Sequence, residues 1–111
     1  MAATPSQPPQ LSDEARRAAL AKAAAVRRER AELKVQLKAG EVSLAALIDR
    51  AATDDVVGKM KVLVVLESLP GVGKVKARRT MDEIGIADSR RIRGLGEQQR
   101  AALVAAFPHQ R

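Results

Sequence analysis

The stretch Leu69-Pro70-Gly71-Val72-Gly73-Lys74 constrains the fold of this chain more than any other. Upstream, an apolar run closes on Leu66 and Leu69. Proline, lacking an N–H and holding φ fixed, stops a helix there. Downstream, Ala77, Thr80, Met81 and Ile84 recur at helical spacing before Gly85 supplies a stop. The stretch therefore predicts helix, sharp turn, helix. Glycine takes left-handed backbone angles freely and leaves no Cβ between the backbone and an approaching group. The amides that open the second helix have no acceptor inside it, and the helix dipole makes that end partly positive. Two readings follow: a plain connector between helices, or an anion site. Lys74 and Lys76 put mobile charge where the second reading needs it. A nucleotide P-loop does not fit, because Gly-x-x-x-x-Gly-Lys-Ser/Thr is missing and a helical run, not a strand, precedes the turn.

The remainder also reads as helices. No Gly or Pro interrupts Asp13 to Ala39. Ser12 is a good cap, and Asp13 and Glu14 suit the positive end of the dipole. A helix from Asp13 to Lys38 spans roughly 40 Å. Val26, Leu33 and Leu37 are spaced to pack on a body, whereas the first half, mostly Ala with Arg16, Arg17 and Lys22, has little to bury and projects outward. Gly40 ends this helix. Ser43 caps a short one over Leu44–Ala51, with Leu44, Leu47 and Ile48 inward. Asp54 caps a third, Asp55–Ser68, whose inner face is Val56, Met60, Leu63 and Val64. The continuous apolar run Val62–Leu66 also fits a buried strand; length, the lack of a strand partner and Pro70 favour a central buried helix. Gly58 costs about 1 kcal/mol against Ala in a helix interior, so it marks either close packing or the close approach of a ligand. After Asp88-Ser89, a turn or cap, a last helix runs from Glu97 to Phe107, with Ile92, Leu95, Leu103 and Phe107 inward and Pro108 closing the fold. The expected fold is all-α: a disordered Pro-rich arm (1–11), a long basic N-terminal helix (12–40) and a compact multi-helix domain (41–108).

Composition narrows the function. With 111 residues and one aromatic, the chain has room for one small domain with a thin core. It has no cysteine, which excludes disulfides and thiolate metal sites and favours a cytoplasmic setting. Its one histidine, His109, lies near the end. No Ser/His/Asp set, metal cluster or paired carboxylates stand out, so we expect no enzyme, no cofactor, no metal and no small-molecule substrate. No signal pattern or bilayer-length apolar run appears, so we expect no membrane association. The net charge of +7 is segregated. Residues 1–38 carry eight basic and four acidic groups, 39–69 three and five, and 70–96 seven and three. Two positive blocks around an acidic middle point to a polyanion partner. Arg90, Arg91 and Arg93 flank Ile92, which predicts three guanidinium groups projecting outward together, against a single nearby anion, Asp88. The planar fork of arginine matches phosphate. Arg27, Arg28 and Arg30 read either as a solvated face balanced by Glu29 and Glu32 or as a basic lever along a phosphate backbone.

Taken together, Leu69-Pro70-Gly71-Val72-Gly73-Lys74, Ile84-Gly85-Ile86, a short basic turn and a final helix resemble a helix–two-turn–helix module, found in a small-subunit ribosomal protein and in formamidopyrimidine-type DNA glycosylases. With the long helix bearing Ala25-Val26-Arg27-Arg28-Glu29-Arg30-Ala31-Glu32, then Val57-Gly58-Lys59-Met60-Lys61-Val62 and Arg90-Arg91-Ile92-Arg93-Gly94-Leu95-Gly96, the chain over about residues 12–107 is similar to the actinobacterial integration host factor family. That resemblance implies a nucleoid-associated protein that binds double-stranded DNA with little sequence preference and helps shape the chromosome; we expect the free protein to be monomeric. It implies one phosphate clamp of Gly71, Val72, Gly73, Lys74 and Lys76, with Arg79 on the same helix. It implies a second basic element of Arg90, Arg91 and Arg93; Arg27, Arg30 and Lys59 are candidates for additional contacts. The alternative is an RNA-binding protein of ribosomal type, although the chain offers almost no aromatic surface for stacking bases. We expect no glycosylase, since enzymes of that type need a catalytic N-terminal proline and a second domain, often with a zinc finger, whereas this sequence starts Met1-Ala2, lacks cysteine and is short.

Overall fold

The structure, a computed structural model, describes residues 12–107. The expected arm, Pro108 and His109 lie outside the described residues. Ser12 Oγ accepts the Ala15 amide at 3.0 Å and opens α1, Asp13–Lys38. Ser43 Oγ accepts from Ala46 at 3.1 Å and opens α2, Leu44–Arg50. Asp54 Oδ1 accepts from Val56 and Val57 at 3.0 and 3.3 Å and opens α3, Asp55–Gly58. Then follow α4, Val62–Ser68, α5, Gly73–Ile84, a 3-10 turn over Ile92–Gly94, and α6, Glu97–Ala106. All three side-chain caps fall where the sequence placed them.

The third helix departs from expectation. The helix predicted over Asp55–Ser68 is two helices, broken at Lys59-Met60-Lys61. The break has a partner far along the chain. Lys61 is extended and pairs antiparallel with Arg91; the Val62 amide donates to the Arg90 carbonyl and the Ile92 amide to the Met60 carbonyl, both at 2.9 Å. These bonds replace the ones an uninterrupted helix would have made. The break also resets the helical phase. Val57, Val62, Val65 and Leu66 are fully buried, whereas Val56, Leu63 and Val64, expected on the inner face, are only partly covered. Met60 is buried as expected, and Val62–Leu66 is helical rather than a strand.

The core is aliphatic. Leu37, Leu44, Leu47, Leu66, Leu69, Met81, Ile92 and Leu103 are fully buried, and the single aromatic, Phe107, closes one end. α4 packs chiefly on α5, the C-terminal half of α1 lies across α3 and α4, and α6 seals α5 and α2. Only Leu33 and Leu37 of α1 are buried, with Val26 half-covered. Residues 12–23 are exposed throughout, so the start of α1 extends beyond the body. With so few large side chains, each leucine matters. Leu66→Ala should lower the unfolding free energy by about 3 kcal/mol, read by urea denaturation. A loss under about 1 kcal/mol would contradict a tightly filled core around α4.

Candidate nucleic-acid interface

The turn between α4 and α5 follows from three residue types. Leu69, preceding proline, is extended at φ −71°, ψ 148°, which ends α4. Gly71 and Gly73 sit at φ +73° and +71°, angles that cost an ordinary residue about 1–2 kcal/mol each. A Cβ at either glycine would meet no atom of the described residues within 4 Å. Val72 points the other way. Its side chain is buried and its amide donates to the Leu69 carbonyl at 3.3 Å. Val72 thus anchors the turn, and its amide is already engaged. No side chain caps α5, so the helix opens on the unpaired amides of its first turn, beginning with Gly73, Lys74 and Val75.

Charges along α5 divide by partner. Lys74 and Arg79 are exposed, and with Val75, Arg78 and Asp82 they line a shallow open surface. Arg78 is tied to Asp88 at 2.8 Å, and that carboxylate raises the guanidinium pKa through a hydrogen bond and its charge. Asp88 therefore serves α5 and not the downstream arginines. Lys76 Nζ lies 5.8 Å from the centre of the Phe107 ring, a cation–π contact on the side of α6.

A second basic surface forms where α1 crosses the break between α3 and α4. Arg27, Arg30 and Lys34 from α1 face Lys59, Lys61 and Arg91 across a groove of about 430 Å³ that no carboxylate lines. The remaining lining is apolar, including Met60 and Val64. Of these six cations the sequence singled out Arg27, Arg30, Lys59 and Arg91. Lys34 was legible, lying four and seven residues beyond Arg30 and Arg27 on one helical face. Lys61 was not, because it joins the groove only through the pairing of its backbone with Arg91.

Arg90, Arg91 and Arg93 do not project together. Arg90 Nη1 donates to the Gly94 carbonyl at 2.7 Å, and Arg91 Nη1 donates to the Lys59 carbonyl. Arg93 turns back toward α2 and α3. Its Nε and Nη2 donate to the Ala51 carbonyl at 3.3 and 3.1 Å, and Nη2 reaches Asp55 Oδ1 at 2.9 Å. The backbone passes from extended at Arg91 into the 3-10 turn at Ile92–Gly94, so Arg93 leaves it in a different direction from Arg90 and Arg91, and Asp55 supplies an anion the local sequence did not reveal. Among the described residues no cluster of His, Cys, Asp or Glu is arranged to hold a metal, and no helix is long and apolar enough to cross a membrane.

The pattern described as an S13-like H2TH domain matches residues 37–107. An integration host factor of Mycolicibacterium smegmatis is 59% identical over 99 residues, covering 89% of this chain and 94% of that protein. That of Mycobacterium tuberculosis is 58% identical, with the same coverage of both chains. That of Streptomyces coelicolor is 56% identical, covering 89% and 92%. The chain belongs to the integration host factor family. A solved structure of sIHF bound to an 8-bp palindromic DNA superposes with a TM-score of 0.75 at 56% identity, covering 78% of this chain and 97% of that one. The long helix followed by a helix–two-turn–helix body is thus the family's architecture.

The Arg93 contact gives a titration test. Its hydrogen bond and charge, with a smaller contribution from Lys59, hold the Asp55 carboxyl below its ordinary value of 3.8. Folding favours the ionised form, so this contact stabilises above the unfolded value and is lost as pH falls through the lower folded one. By NMR, the Asp55 carboxyl carbon should titrate below 3.8 in the native chain and move up toward it in Arg93→Ala. An unchanged midpoint in the variant would contradict the contact.

Proposed function

We propose that this protein is a nucleoid-associated architectural protein that binds double-stranded DNA through its phosphates, with little sequence preference, and bends, bridges or compacts it. The observation that carries the reading is the open amino end of α5, flanked by Lys74, in a chain 56% identical to a protein solved on DNA. Gly71 and Gly73 let a phosphate approach the backbone, the amides of Gly73, Lys74 and Val75 meet its oxygens, and Lys74 and Arg79 neutralise the flanking phosphates. Phosphate contacts fix register without reading bases, which accounts for the lack of sequence preference. The groove of Arg27, Arg30, Lys34, Lys59, Lys61 and Arg91 is the second contact surface. Two surfaces on one chain allow a monomer to hold two duplexes, or two parts of one bent duplex.

The RNA-binding alternative is disfavoured by the same structure. Phe107, the one aromatic residue, is buried, so no aromatic face is offered for stacking unpaired bases. We propose that the protein acts by binding alone, without catalysis, in the cytoplasm on the nucleoid.

Anisotropy titrations on unrelated duplexes test this. With about six phosphates neutralised, log affinity falls against log salt with a slope near −5 for every sequence. Gly73→Glu places a carboxylate where the phosphate sits and should abolish binding. A folded Gly73→Glu chain that binds as the native one does would overturn the role of the turn.

A further inference from the structure

Arg93 shares a short run with Arg90 and Arg91 but is engaged differently. Its guanidinium lies against Gly58, the last residue of α3. A Cβ built there would come within 2.7 Å of Nε and 2.8 Å of Cζ and Nη2. The fork thus occupies the space a side chain at position 58 would need, while bonding the Ala51 carbonyl twice and the Asp55 carboxylate once. These contacts fasten the Ile92–Gly94 turn to the end of α2 and to α3, elements some forty residues away. Arg90 depends on that turn, because its Nη1 donates to the carbonyl of Gly94. A Cβ at Gly94 would lie 3.2 Å from Arg90 Cδ, so Arg90 too is laid against bare backbone. The two glycines seat the two arginines, and the first arginine holds the turn that aims the second.

We infer that Arg93 is a positioning residue for DNA binding: it latches the Ile92–Gly94 turn, whose Gly94 carbonyl accepts from Arg90 and whose Gly94 amide donates to the Arg91 carbonyl, and so sets both arginines toward phosphate without itself contacting the duplex. The inference rests on the DNA-binding reading above. It replaces the view in which all three arginines are equivalent phosphate ligands. In that view Arg93 leaves Asp55 for a phosphate, and anything that frees it helps.

The two views predict opposite signs. Gly58→Ala leaves every charge in place. It displaces only the far end of a flexible side chain and improves helix propensity. The latch predicts a chain that still folds cooperatively but binds duplex about fivefold more weakly, with no further loss when Gly58→Ala is added to Arg93→Ala, since coupled residues are not additive. Asp55→Ala removes a negative charge and yet should also weaken binding. Arg93→Lys should bind as poorly as Arg93→Ala, because an ammonium cannot reproduce the planar fork. The inference is overturned if Gly58→Ala and Asp55→Ala bind as tightly as the native chain or tighter, or if Arg93→Lys retains native affinity. Arg91→Ala and Lys74→Ala, run alongside, separate the two levels. If they weaken binding and Gly58→Ala does not, the latch is wrong and the DNA-binding reading stands. If none of them changes binding, that reading falls too.

Discussion

A helix cannot satisfy the amides of its own first turn, and in α5 no side chain among the described residues caps them. The surrounding structure keeps that end open. Pro70 terminates α4 so that α5 can begin three residues later, and two left-handed glycines turn the chain in that space without presenting a side chain to solvent. Val72 anchors the turn from below and spends its own amide on Leu69. Four consecutive residues thus separate into one stop, two openings and one anchor. An N-terminus left uncapped in this way is a cost to the isolated protein that an anion offsets on binding.

The second surface is built by long-range pairing. Lys61 and Arg91 meet as an antiparallel backbone pair thirty residues apart in sequence, and the same pairing interrupts what would have been one helix. The interruption turns Lys59 and Lys61 toward α1, where Arg27, Arg30 and Lys34 form the opposite wall. Like charges gathered so closely repel each other, and the apolar packing of Leu33, Leu37 and Met60 beneath them holds them together. Part of the core's stability is therefore used to keep a cationic surface assembled.

Local signals carried most of the fold. Ser12, Ser43 and Asp54 cap the helices they announce, Gly85 ends α5 in the left-handed conformation, and the two positive blocks hold all the basic residues of the two surfaces except Lys59 and Lys61. What could not be read depended on partners distant in sequence. The break at Lys59-Met60-Lys61 requires residues 90–92, and without it the helical phase of Val57, Val62 and Val65 comes out wrong. Gly58 was ambiguous between packing and ligand contact because its occupant, Arg93, lies thirty-five positions downstream. The arginine run looked uniform because sequence shows charge but not the direction in which each side chain leaves the backbone.

The central claim is that the open end of α5 meets phosphate. Titrating the ¹⁵N-labelled protein with a short duplex and following each backbone amide tests it most directly. The account predicts that Gly73, Lys74 and Val75 show the largest downfield amide-proton shifts, saturating with the binding isotherm, while Val72, already bonded to Leu69, moves little. If the duplex binds and those three amides stay in place while resonances elsewhere shift, the turn is not where the protein holds DNA.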